Sequence, residues 1–155
     1  MDNETLEKLI LANEQTLYRI SMSILKNEED AMDAVHDAIV KAYEKSNTLR
    51  NEEYFSTWLV RILIRCCYRQ LKHNSRFADT GETMPEIASR NNPYLHIELG
   101  EIIDKLPPKI RDVIILFYAE GYSIKEIKQI LHIPEGTVKS RLAKGRSIIK
   151  KELKG

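Results

Sequence analysis

Between Ser123 and Lys150 the chain reads SIKEIKQILHIPEGTVKSRLAKGRSIIK, two short helical patterns separated by a break of turn length. Ser123, with Glu126 three residues later, is a capping-box signature, and Ile127, Ile130 and Leu131 give the helix it starts one apolar face. That pattern predicts an end at His132. Pro134 disfavours α backbone at Ile133 and is itself suited to open a new helix. In the second helix Val138, Leu142, Gly145 and Ile149 follow one another at spacings of four, three and four, a continuous inward stripe.

The outward face of the second helix carries Gly136, Lys139, Ser140, Ala143, Lys144 and Ser147. Small side chains there let a backbone come close to a partner, and the cations reach phosphates or base edges. A helix seated in a major groove needs that combination of room, charge and hydrogen-bonding groups near its N-terminal end. A merely solvated amphipathic helix can look the same. What favours the groove is the capped helix and short turn ahead of it, because helix-turn-helix geometry is a property of the pair.

The 155 residues allow one or two small domains, and 43% hydrophobic with 30% charged residues is the composition of a soluble globular chain. No stretch approaches the roughly eighteen apolar residues of a membrane span. The start, MDNETLEK, lacks a basic segment followed by an apolar core, so no signal peptide is expected. The two cysteines, Cys66 and Cys67, are adjacent, which suits neither a disulfide framework nor common zinc spacings; buried small hydrophobes in a reducing cytoplasm are expected. The formal charge of +1 hides an asymmetry: residues 1–72 carry −2, residues 73–98 carry −2, and residues 99–155 carry +5, with 12 Lys and Arg against 7 Asp and Glu. The helix-turn-helix end is the basic end, as sequence-independent attraction to phosphates requires.

Along the chain, Leu6, Leu9, Ile10, Leu17, Ile20 and Ile24 hold helical phase, with Asn13 a polar exception. Asn27 followed by Glu28, Glu29 and Asp30 reads as a cap and an acidic first turn. The helix it opens buries Ala31, Val35, Ala38, Ile39 and Ala42, and shows Asp33, His36, Asp37, Lys41 and Glu44 on its other side. Such a face is read as solvated or docking a basic partner rather than as a metal site. Ser46 to Glu53 reads as a loop. A third long helix follows, with Phe55, Trp58, Leu59, Ile62 and Cys66 on its core face and an expected end near Leu71. Arg61, Arg65, Arg69 and Lys72 form a basic stripe opposite, either a wet face or a track for a nucleic-acid backbone. Tyr54, Phe55, Trp58 and Tyr68 would offer stacking surfaces for unpaired bases, though Phe55 and Trp58 serve equally well as core. From His73 to His96 no apolar phase is sustained, so the run reads as a flexible linker. Phase returns with Ile97, Leu99, Ile102, Ile103 and Leu106; Pro107-Pro108 makes a corner; Ile110, Val113, Ile114 and Phe117 mark a further helix stopped by Gly121. The fold class is therefore all-α: two small helical domains joined by a flexible linker, the C-terminal one a helix-turn-helix. No glycine-rich phosphate loop and no nucleophile with a nearby base is present, so neither a cofactor nor an enzymatic activity is expected.

Three stretches together, DAVHDAIVKAY (Asp33 to Tyr43), FSTWLVRILIRCCYRQL (Phe55 to Leu71) and LPPKIRDVIILFYAEGYSIKEIKQILHIPEGTVKSRLAKGR (Leu106 to Arg146), resemble in order and spacing the characteristic blocks of extracytoplasmic-function (ECF) sigma factors of bacterial RNA polymerase. The resemblance implies an N-terminal domain, residues 1–72, that binds core polymerase and the minus-ten promoter element. It implies a linker, 73–96, and a C-terminal domain, 97–155, that reads the minus-thirty-five element. By position, the helix carrying Asp33, His36, Asp37 and Lys41 matches the polymerase-docking surface. Leu49 sits near the centre of the loop that captures a flipped base, and Arg61, Arg65 and Arg69 lie on the helix laid against minus-ten DNA. Thr137, Lys139, Ser140, Arg141 and Lys144 match the minus-thirty-five contacts. The chain departs from the family at His36, where glutamine is common, at Arg65, often asparagine, and at His132, where glycine is usual. The implied partners are core polymerase, promoter DNA both double-stranded and opened, and an anti-sigma factor. A monomer free in the cytoplasm, or held at the membrane through that anti-sigma factor without inserting itself, is expected.

Two other functions compete on residue types alone. A dimeric helix-turn-helix regulator acting without replacing a polymerase subunit would leave a palindromic footprint. A pure protein-interaction module would leave the C-terminal charge excess without a nucleic-acid partner.

Overall fold

A computed structural model describes residues 1–78 and 95–154, with side chains at 1–75 and 99–154. Seven α-helices carry the described chain: α1 (Asn3–Leu25), α2 (Glu28–Glu44), α3 (Phe55–Ala78), α4 (Leu95–Lys105), α5 (Pro108–Ile114), α6 (Ile124–Leu131) and α7 (Glu135–Lys154). Among the described residues there is no strand, and no helix is long and apolar enough to cross a membrane. The expected linker interior, 79–94, lies outside the described residues.

Local chemistry sets the helix ends. The Asp2 side chain accepts from the Thr5 N–H and opens α1; the Asn27 side chain accepts from the Asp30 N–H and opens α2 beside three acids that complement the helix dipole. Pro108 takes the first turn of α5, where its missing N–H costs nothing. α3 continues to Ala78, seven residues past the end expected at Leu71. The sequence there loses apolar phase, but with no glycine or proline between Leu71 and Ala78 nothing stops the hydrogen-bonded ladder. The loop from Ser46 to Tyr54 is built of two single 3₁₀ turns, Ser46–Thr48 and Glu52–Tyr54.

The N-terminal half is α1, α2 and α3 packed on one another, and Leu6, Leu17, Ile20, Leu59, Val60 and Leu63 are fully buried among them. Cys66 and Cys67 are unpaired and buried, as expected. Burial pushes the Cys67 thiol up to about 12, so it stays protonated at physiological pH. In the C-terminal half α4, α5 and α6 all pack on α7. Leu99, read as part of an apolar phase, is instead exposed. α5 does not run on to Gly121 as a plain α-helix, since a π-helical turn occupies Ile115–Ala119 before Gly121 at φ 77°. The two halves touch: α3 packs on α6, and α1 reaches the π-helical turn.

Candidate nucleic-acid interface

The helix-turn-helix forms as the spacing predicts. Ser123 Oγ accepts from the Glu126 N–H at 3.1 Å while Glu126 Oε1 accepts from the Ser123 N–H at 2.9 Å, a reciprocal box that satisfies two end donors. α6 stops at His132, whose backbone is left-handed (φ 57°, ψ 52°) and whose N–H donates to the Lys128 carbonyl. The Pro134 carbonyl accepts from Thr137 and Val138 and starts α7. Inside α7, Val138, Leu142 and Gly145 are buried; outside, Gly136, Lys139, Ser140, Ala143, Lys144 and Ser147 are all exposed. A Cβ on Gly145 would lie 2.6 Å from Cγ1 and Cδ1 of Ile114, so glycine is what lets α7 seat against α5. Thr137 is half-buried, and its carbonyl accepts from the Ser140 hydroxyl at 3.1 Å. Arg141 is also half-buried.

The second basic surface lies on α3. Arg65, Arg69 and Lys72 are exposed, whereas Arg61 is half-buried with its Nε sequestered and without a protein acceptor. Leu49 is half-buried against the core between the two 3₁₀ turns, and Tyr54, in the second of them, is exposed. The aromatic residues divide. Phe55 is fully buried, its ring centroid 5.6 Å from that of Trp58, and is core rather than a stacking surface. Tyr68, also read as a stacking candidate, donates its hydroxyl to Asp112 of α5 instead. Tyr54 and the half-buried Trp58 remain open to a base.

On α2 the residues Asp33, His36 and Asp37 are exposed and Lys41 is half-buried. Met32, Val40 and Tyr43 stand exposed on the same helix. Sequence reasoning passed over these three; their signal was apolar residues falling outside the inward phase of an otherwise regular helix.

The sequence also gave no hint that α3 and the helix-turn-helix share a cleft. A space of about 840 Å³ is lined by Arg61, Ile64, Arg65 and Tyr68 from one half and by Lys109, Asp112, His132, Arg141 and Lys144 among others from the second. Asp112 is 7% exposed, beside Arg111 Nη2 at 3.5 Å. Burial lifts its carboxyl above the ordinary value, opposed by the Tyr68 hydrogen bond and by the charges of Arg111 and Arg141. Burial and the Asp112 charge in turn push the Tyr68 phenol upward, so its proton stays in place as a donor.

Comparison with known proteins gives the chain a family. The Sigma-70 region 2 family model matches residues 9–77 and the Sigma-70, region 4 model matches residues 96–149. The RNA polymerase sigma factor SigV of Bacillus subtilis is 30% identical over 146 residues, 93% of this chain and 88% of its own length. The ECF RNA polymerase sigma factor SigW of the same organism is 29% identical, covering 99% of this chain and 91% of its own. Among solved structures, the sigma factor RpoE in complex with the anti-sigma factor NepR from Bartonella quintana aligns with a TM-score of 0.80 at 22% identity, over 97% of this chain and 98% of that one, a likeness of fold. Region 2 followed by region 4, on helices that present two basic faces, defines a sigma-70-type transcription initiation factor. Within that class, the chain belongs to the extracytoplasmic-function sigma factors.

Proposed function

We propose that this sigma factor reads its promoter with two separate helix faces and docks on core polymerase with a third. The outer face of α7, through Thr137, Lys139, Ser140, Arg141 and Lys144, takes the minus-thirty-five element in the major groove. Arg61, Arg65 and Arg69 follow the backbone of the minus-ten element, and the Leu49 loop receives an unpaired base of the opened strand, with the exposed Tyr54 of the same loop as a stacking surface. Asp33, His36, Asp37 and Lys41 on α2 meet the polymerase. The domain roles follow: residues 1–72 for core polymerase and the minus-ten element, 97–155 for the minus-thirty-five element.

The observation that carries this reading is the clean division of α7 into a buried stripe and an exposed face of small and cationic residues. Nothing in that face performs covalent chemistry; its work is positioning, with phosphate contacts setting register and base-edge contacts setting sequence. The factor acts as a dissociable specificity subunit, a monomer when free and located in the cytoplasm. Two solved structures of like fold, the sigma factor RpoE in complex with the anti-sigma factor NepR and CnrH in complex with the cytosolic domain of CnrY, support an anti-sigma partner here.

Run-off transcription with purified core polymerase and a promoter library tests the proposal. Lys144→Glu is expected to lower promoter-dependent transcript at least tenfold while leaving co-elution with core polymerase intact. Loss of polymerase binding in that variant would refute the assignment of α7.

A further inference from the structure

Around the axis of α7, at about 3.6 residues per turn, Gly136, Ser140, Ala143 and Ser147 form an exposed strip of small side chains with Lys144 on one edge. Lys139, Arg146 and Lys150, also exposed, fall within about 40° of one another on the other edge. A major groove has a phosphate backbone on each wall, so a helix seated in it meets phosphates along both edges. The contacts assigned so far leave Arg146 without a role.

Arg146 differs from the lysines of its edge in being held from outside α7. The π-helical turn Ile115–Ala119 is closed by the Glu120 N–H, which donates to the Ile115 carbonyl at 3.0 Å, and the Tyr122 N–H returns to the Leu116 carbonyl at 3.0 Å across Gly121. This geometry buries Leu116 at 1% exposure and turns Tyr118 outward at 55%. Phe117 packs edge-on against the Tyr118 ring, with centroids 4.9 Å apart and planes at 85°, and so steadies it. The Tyr118 hydroxyl oxygen accepts from Arg146 Nη1 at 3.2 Å. Among the described residues no carboxylate pairs with Arg146, whereas Lys139 lies 4.0 Å from Glu135.

We propose that Tyr118 and Arg146 form a phosphate clamp on the DNA strand that walls this side of the minus-thirty-five groove, Arg146 making the contact and Tyr118 positioning it. The proposal rests on the reading of α7 given above and adds an anchor from outside the helix-turn-helix. Ordering two exposed side chains costs conformational entropy that a single surface hydrogen bond scarcely offsets, which points to an acceptor outside the chain. The donor count says which kind. A guanidinium carries five N–H donors; one goes to Tyr118, and the other four lie in a planar fork that matches the oxygens of a phosphate. Because the phenol oxygen accepts from Arg146, its own O–H is left to donate outward to the same anion. A phosphate contact carries no sequence information, so the clamp sets the depth and register of α7 rather than its preference among bases.

The test uses holoenzyme reconstituted from the full chain and core polymerase, on a promoter that the wild type selects from a library, over a range of salt. Arg146→Ala should weaken promoter binding roughly five- to tenfold and reduce the slope of log affinity against log salt by about one. The same factor should appear on a duplex altered in the minus-thirty-five element, because the lost contact is to the backbone. Arg146→Lys, which keeps the charge, should recover the slope. Tyr118→Phe keeps the ring and its packing on Phe117 and should weaken binding roughly two- to threefold. In the Arg146→Ala background it should add nothing, and on its own it should leave the urea midpoint of the free chain unchanged. A merely structural tyrosine would instead lower that midpoint and weaken binding in both backgrounds. An unchanged slope in Arg146→Ala, a loss that depends on the minus-thirty-five sequence, or additive losses from the two substitutions each overturns the clamp. Lys144→Glu, measured alongside, tells the two readings apart. If it weakens promoter binding and Arg146→Ala does not, the clamp fails and α7 remains the reader; if neither weakens it, both fail.

Discussion

Among the described residues, two other than glycine adopt left-handed backbone, and their side chains separate their fates. Lys26 (φ 57°) uses the bend to aim its ammonium at the Asp104 carbonyl, so glycine there would relax the backbone and lose a tether. His132 (φ 57°) ends α6, and its side chain is exposed. A left-handed L-residue costs about 1–2 kcal/mol, part of which glycine returns as unfolded-state entropy. His132→Gly is therefore expected to stabilise the full chain by about 0.5–1 kcal/mol, read as a higher urea midpoint at unchanged slope. A lower midpoint would mean that the imidazole itself holds the turn. The stop at His132 was legible because Pro134 follows it. The Tyr68–Asp112 pair was not, since neither residue carries any mark of a partner 44 positions away.

Helices were the most readable part of the chain, since each presents its own inward phase. α7 divides as its spacing predicts, and Gly145 belongs to the buried stripe for a reason the spacing alone does not contain: α5 lies too close for a Cβ. A branched side chain there must push Ile114 and Ile110 aside in a packed core. Gly145→Val is expected to cost about 1–3 kcal/mol as overpacking, outweighing the few tenths gained in helix propensity. Urea unfolding checks the cost, and an unchanged or higher midpoint would show that α7 can shift outward freely. Where sequence reading slipped, the cause was equally local. α3 outruns its apolar phase because a helix end needs a stop residue, not merely the loss of hydrophobic contact. The π-helical turn at Ile115–Ala119 inserts one residue into the α5 register, a change that leaves the apolar pattern Val113, Ile114, Phe117 looking helical.

For the whole molecule, the sequence conveyed two modules and their charge but not their contact, because interdomain packing is written in single polar residues rather than in any periodic pattern. The proposed surfaces nevertheless sit on separate helices: the residues proposed to dock polymerase are on α2, and the two faces proposed to read DNA are on α3 and α7. Changes confined to one surface should thus leave the others working, and competition between variants makes this measurable. On the proposed assignment, a Lys144→Glu chain is expected to occupy core polymerase without placing it on a promoter. With core polymerase limiting and equal affinities, an equimolar mixture with wild type should halve the run-off transcript, and a tenfold excess should reduce it to about one-tenth, by mass action. Asp37→Lys removes a docking charge from α2, so that chain should leave wild-type transcription unchanged at the same excess. Inhibition by both variants alike would mean that α2 does not carry the polymerase contact. Inhibition by neither would mean that Lys144 is needed for binding polymerase itself, and the three-surface arrangement would fail.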